Sequence, residues 1–236
     1  MGHMRAPLIL AVETSTRAGS VSLTRGEEVL GAALGDASSS HSTDLIENIQ
    51  SVLREGNARL SDVDLFAVTV GPGSFTGLRI GLATVKAFAI CVEKPCAPVS
   101  TLAAIGFGAG DSEMTVSVLP AGRGEVYAQA FSVRGDDVQA LDAAAHIKPS
   151  ELGDRFGKLR AITFAGEGAY QHFEILRQSD LNCSFAPQPL YLANSVAVLA
   201  RVEHRRGDLV SAEELVANYV RASDAEINER WLRQNP

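Results

Sequence analysis

Residues 64–92 constrain the chain more than any other stretch. DLFAVTV runs directly into the loop GPGSFTGLRIG, and then into a segment rich in alanine, leucine and valine as far as Val92. The first run does not alternate apolar and polar positions, so it reads as a strand covered on both faces. From Leu78 the apolar positions Leu78, Leu82, Val85 and Ala89 recur at helical spacing. A doubly covered strand passing through a glycine loop into a helix belongs to an α/β fold.

The flanking sequence extends that unit. Residues 8–16, 20–23 and 29–34 read as an antiparallel meander with glycine turns. SSSHSTD offers helix caps, and Leu45, Ile46, Ile49, Val52 and Leu53 form an apolar stripe behind them, ended by Gly56 and Asn57. Pro95 and Pro98 bracket an extended piece, residues 101–107 read as a short helix, and GAGDSE is a seam. The second half opens like the first: VLPAGRGEVYAQA repeats the strand, polar glycine turn and strand of VETSTRAGSVSL. Two related α/β lobes are expected, residues 4–108 and a diverged 109–236. In the second, AITFAGEGA is a buried strand ending in glycines, residues 195–205 are among its C-terminal helices, and SAEELVANYVRASDAE closes the chain.

Composition excludes several function classes. At 46% apolar residues the chain is globular, and a net charge of −7 disfavours direct high-affinity binding of nucleic acid. Three scattered cysteines argue against a disulfide framework, and the five histidines form neither HExxH nor HxxxH. No eighteen-residue apolar run is free of charge, and MGHMRAP lacks a signal-peptide core, with Gly2 and His3 reading as a cloning remnant before Met4. A reducing, cytoplasmic setting is expected.

The glycine loop fits neither nucleotide fingerprint. No lysine follows Gly77, and Thr76 stands where a dinucleotide motif needs its third glycine. Two readings stay open. Ser74 or Thr76 caps the next helix while the glycines permit close backbone contact, or the helix start meets an anion with Arg79 nearby. Glu13, beside Thr14, is a weak candidate for a magnesium-bound phosphate, and Gly166 and Gly168 are weak candidates for approach to a nucleotide. Arg123 and Glu125 flank a turn and read as solvated.

Together, ILAVETSTRAGSVSL, HSTDLIENI, VTVGPGSFTGLRIGLATVKAFAI, PVSTLAAI, GEVYAQAF and NYVRASDAE resemble the bacterial TsaB (YeaZ) family over residues 8–226. The resemblance implies two duplicated, ribonuclease H-like lobes of the actin, Hsp70 and sugar-kinase superfamily. It implies a non-catalytic partner of the transferase TsaD, which with the ATPase TsaE makes N6-threonylcarbamoyladenosine at position 37 of tRNAs reading codons that begin with A. Such a subunit has no cofactor or metal of its own, while the complex uses ATP, Mg2+ and a metal held by TsaD. It meets tRNA through the complex, and it forms a homodimer when alone. The pairing helices carry over to residues 44–53 and 76–90, with Ile46, Ile49, Leu53, Thr76, Arg79, Ile80, Ala83 and Ala87 as contacts.

The sequence departs from the family pattern in informative places. Leu45 replaces the second histidine of the transferase branch, Glu13 replaces an aspartate, and Pro120 replaces the aspartate before GEVY. These changes weaken the alternatives of an ATP-dependent phosphotransferase and a metal-dependent glycoprotease.

Overall fold

The computed structural model describes residues 5–36, 41–157, 161–178 and 182–220, without the side chains of residues 41–43 and 178. The expected caps among residues 38–40, the first four residues and residues 221–226 of the last family motif lie outside them.

The meander forms as its alternation predicts: β1 (Leu8–Glu13), β2 (Ser20–Arg25) and β3 (Glu28–Leu34) pair antiparallel in that order. Helix α1 (His41–Glu55) covers β2 and β3. Strand β4 (Leu65–Gly71) is buried at every residue, as a run without alternation requires. Helix α2 (Phe75–Val92) returns over β4, and β5 (Cys96–Ser100) pairs with β4 in parallel. The first sheet has the order β3-β2-β1-β4-β5. Helix α3 (Thr101–Gly108) leads out of it.

The second half repeats this plan. Strands β6 (Ser112–Gly122), β7 (Glu125–Arg134) and β8 (Asp137–Ala140) form a meander, with β9 (Ala145–Ile147) also on β7. After α4 (Leu152–Phe156), β10 (Ile162–Ala165) joins β6 in parallel. Then come α5 (Glu167–Gln171), α6 (Phe173–Gln178), β11 (Cys183–Phe185) and α7 (Leu192–Arg206). The order β8-β7-β6-β10-β11 matches that of the first sheet, antiparallel pairs on one side and parallel pairs on the other. The faint echo between the two hairpins is therefore a repeat of topology.

Two helices bind the halves together. Helix α3 packs on β6, β7 and β8, whereas α7, from the far end of the chain, packs on β1, β2, β4 and β5. Leu102, Ile105, Val196 and Ala200 of these helices share one core with Ile9, Ala67, Leu119 and Phe131 of both sheets. A second core lies under α1 and α2, and a third under the short helices of the second half.

After α7 the described residues hold a turn and extended chain up to Val220. This segment bridges Val210 to Cys96, and it buries Ala212 and Leu215 with Val85 and Ala89. It thus flanks α2 on the β5 side of the first sheet. Helix α2 is long and apolar enough to cross a membrane by composition, yet it carries Arg79 and Lys86 and seats its inner stripe on β4.

Candidate functional site

The glycine loop is a tightly built corner. A Cβ on Gly71, at φ 120°, would stand 2.5 Å from the Asn218 carbonyl oxygen, and one on Gly73 would stand 2.6 Å from the Ser15 oxygen. The Ser74 N–H donates to the Ser15 carbonyl at 2.9 Å, and the Asn218 N–H donates to the Val70 carbonyl at 2.7 Å. The loop is therefore wedged between the β1–β2 turn and the segment after α7.

Of the two candidate caps, Ser74 is the one used. Its Oγ accepts the Gly77 N–H at 3.1 Å, so α2 begins at Phe75, before the expected Leu78, and Thr76 lies inside the helix. The Arg79 guanidinium stands 4.0 Å over the Phe75 ring, which meets the Tyr219 ring at 5.3 Å. The Ser74 cap takes one helix-start N–H and Arg79 is stacked on Phe75, which favours the corner reading of this loop over the phosphate grip.

Helix α2 has two unlike faces. Leu78, Leu82, Val85 and Ala89 face the core. Gly81 is also inward, where a Cβ would stand 2.2 Å from Thr14 Oγ1. Its small size serves that intrachain contact. Thr76, Arg79, Ala83 and Ala87 are exposed on the other face, with Ile80 half-buried and Ile90 56% exposed. On α1, Ile46 is 43% exposed, while Ile49 and Leu53 point into the core at 2% and 9%. The candidate contacts thus divide into an outward set, Ile46 with the α2 residues, and two inward supports.

A cleft of about 390 Å³ opens between the lobes, lined by Glu13, Arg17, Leu34, Ile105, Gly166 and Leu190 among others. A magnesium nucleotide, which the fold family implies, does not fit its donors. Glu13 is 1% exposed and its carboxylate is spent on its own turn. Oε1 accepts from the Ser15 N–H, the Ser15 hydroxyl and the Thr16 N–H at 2.6, 2.6 and 2.8 Å, and Oε2 accepts from the Thr16 hydroxyl at 2.7 Å. Thr14 turns away beneath α2. Across the cleft, Pro120 pairs with Val126 and supplies no carboxylate.

Gly166 lines the cleft, but its glycine is demanded by the backbone: φ is 96°, and a Cβ would stand 2.5 Å from the Val118 oxygen. Gly168 packs on β6, with a Cβ position 2.9 Å from Val118 Cγ1. Among the described residues no group of three His, Cys, Asp or Glu side chains could hold a metal. Glu125, read from sequence as solvated, instead stands 2.9 Å from His146 Nε2, because β9 returns along β7 beside it.

The profile of the family described as TsaD, tRNA N6-adenosine threonylcarbamoyltransferase, matches residues 34–231. The chain belongs to the TsaD family. Within it the likeness is to the TsaB, or YeaZ, branch. The tRNA threonylcarbamoyladenosine biosynthesis protein TsaB of Haemophilus influenzae is 29% identical over 228 residues, 90% of this chain and 93% of that one. The structure of YeaZ from Pseudomonas aeruginosa matches at a TM-score of 0.76 with 26% identity, covering 90% of this chain and 99% of the other. At 12% identity the fold extends to the activator of the 2-hydroxyisocaproyl-CoA dehydratase from Clostridium difficile, with TM-score 0.51 over 85% and 97% of the two chains. That likeness is one of fold alone, and the duplicated strand plan is what this chain shares with it.

Proposed function

We propose that this TsaB-type chain is the non-catalytic scaffold subunit required by a TsaD-type transferase for N6-threonylcarbamoylation of adenosine 37 in tRNAs reading codons that begin with A. The observation that carries the reading is the outward face of α2. It is an apolar stripe of small and aliphatic side chains, Ile80, Ala83, Ala87 and Ile90, on a helix whose inner face is fully used. Such a face suits the close approach of a second helix pair. Ile46, Thr76, Arg79, Ile80, Ala83 and Ala87 are the proposed contacts, and Ile49 and Leu53 hold α1 in place beneath them.

The same face serves a second copy of the chain when the transferase is absent. In the assembly the ATPase TsaE joins TsaD and this subunit, ATP, Mg2+ and the TsaD metal belong to the complex, and tRNA is met through it. The first lobe, residues 4–108, carries the docking helices, residues 109–236 form the second lobe, and the setting is the cytoplasm. The saturated Glu13 carboxylate favours this reading over an ATP-dependent phosphotransferase.

Reconstitution tests it. TsaD, TsaE, ATP, threonylcarbamoyl-adenylate and tRNA should yield modified tRNA only when this chain is added, and the chain alone should turn over nothing. Magnesium-dependent ATP hydrolysis by the isolated chain would restore the phosphotransferase.

A further inference from the structure

Arg201 joins the two lobes at a single point. Its side chain is 11% exposed, on α7. Nη1 donates to the Gly26 carbonyl, and Nη2 donates to Asp136 Oδ2 at 3.0 Å. Gly26, with φ 62°, turns β2 into β3, and Gly135, with φ 55°, precedes Asp136 in the turn from β7 to β8. These are the corresponding turns of the repeated plan. Arg205 donates to the same Asp136 oxygen at 3.0 Å, and Arg206 stands 3.4 Å from Asp137. At the other end of α7, the Ala193 N–H donates to the buried Ser20 Oγ at 3.0 Å. The helix is thus fastened to the first lobe at both ends and to the second through its arginines.

We propose that Arg201 is an interlobe tie, one guanidinium holding the matching turns of both lobes so that the cleft keeps a single opening. A planar fork with separate N–H groups reaches a carbonyl and a carboxylate at once, which an ammonium on a flexible stem does not reproduce. Arg205 contacts only the second-lobe turn, so its loss leaves the bridge standing. Two-lobed proteins close around ligands by hinge or shear motion. Here the hinge is pinned, and the docking helices are carried on one rigid body.

Hydrogen exchange and spin-label distances on the full chain test the tie. Arg201→Met should speed amide exchange in both the Gly26 and the Gly135 turns by about tenfold, the scale of one hydrogen bond to a charged group. Arg205→Met should affect only the Gly135 turn. Labels at Glu47→Cys on α1 and Glu174→Cys on α6, with Cys91 and Cys183 changed to serine, should give a narrow distance distribution that Arg201→Met broadens. Arg201→Lys, which keeps the charge and loses the fork, should behave like Arg201→Met and decides the matter if that variant does not fold. An unchanged Gly26 turn, or an unchanged distribution width, in whichever of the two variants folds overturns the proposal.

Discussion

The two lobes take the same step from strand to helix and end it differently. In the first, β4 passes through Gly71, Pro72, Gly73 and Ser74 into α2, eighteen residues long. In the second, β10 passes through Gly166 into α5, five residues long, which breaks at His172 before α6. A glycine at positive φ stands at the end of β4 and just after β10, because a neighbouring carbonyl occupies the space of a Cβ in each. Sheet order and that glycine are fixed by backbone packing. Helix length is not: α2 has a side-chain cap that α5 lacks, and an apolar outer face. The repeat keeps what the sheets need, while the proposed docking surface lies on the longer helix.

The sharpest way to break the comparison is to act on the two faces of α2 separately. Val85 is fully buried, so Val85→Asp should cost about 4 kcal/mol or more and abolish a cooperative melt. Ala83 is exposed two positions away, so Ala83→Glu should keep a cooperative melt and lose only the concentration-dependent stabilisation that pairing adds. Denaturant titration of both variants measures the difference. Equal losses would mean that the outer face is part of the folded core.

Gly81 gives a finer test. Alanine is favoured over glycine in a helix by about 1 kcal/mol, but here the new methyl meets Thr14 Oγ1, so Gly81→Ala should destabilise by about 1–2 kcal/mol net. Adding Thr14→Ala should recover most of that loss. Recovery would place the reason for this glycine inside the chain. Ser74→Ala should cost about 1 kcal/mol, read as a lower Tm, since it removes the cap that α5 lacks.

The smallest effect concerns pH at the tie between the lobes. Burial alone would raise the Asp136 carboxyl, but hydrogen bonds from Arg201 and Arg205 outweigh it and hold the group below the ordinary aspartate value of 3.8. Its contribution is therefore present above that value and is lost as pH falls through the folded one. Asp136→Asn should lower stability near neutrality by that small contribution and flatten the matching part of the acid denaturation curve, so that variant and original converge at low pH. An unaltered acid limb would remove Asp136 from the pH response.

Much of the fold was legible because the signals were periodic. The meander alternates in twos, β4 does not alternate at all, and α1 and α7 carry stripes that local spacing fixes. The family motifs then supplied the second lobe's kinship, which the hairpin echo alone carried faintly. What stayed hidden depended on contacts distant in sequence. Nothing near Gly71 announces Asn218, nothing near Gly81 announces Thr14, and only the folded turn reveals that Glu13 spends its carboxylate on Ser15 and Thr16. Stripe positions such as Ile49 and Leu53 read alike as core or interface until the sheet beneath them is in place.

The central claim is that α2 docks through its outer face. Light scattering on a sizing column tests it most directly, with the chain alone, the chain mixed with the same organism's TsaD-type transferase, and Ala83→Glu in both settings. The account predicts a mass near twice 25.0 kDa alone, a joint species in the mixture, and loss of both in a variant that still melts cooperatively as a folded monomer. A folded Ala83→Glu protein that pairs with itself and with the transferase as before would contradict it.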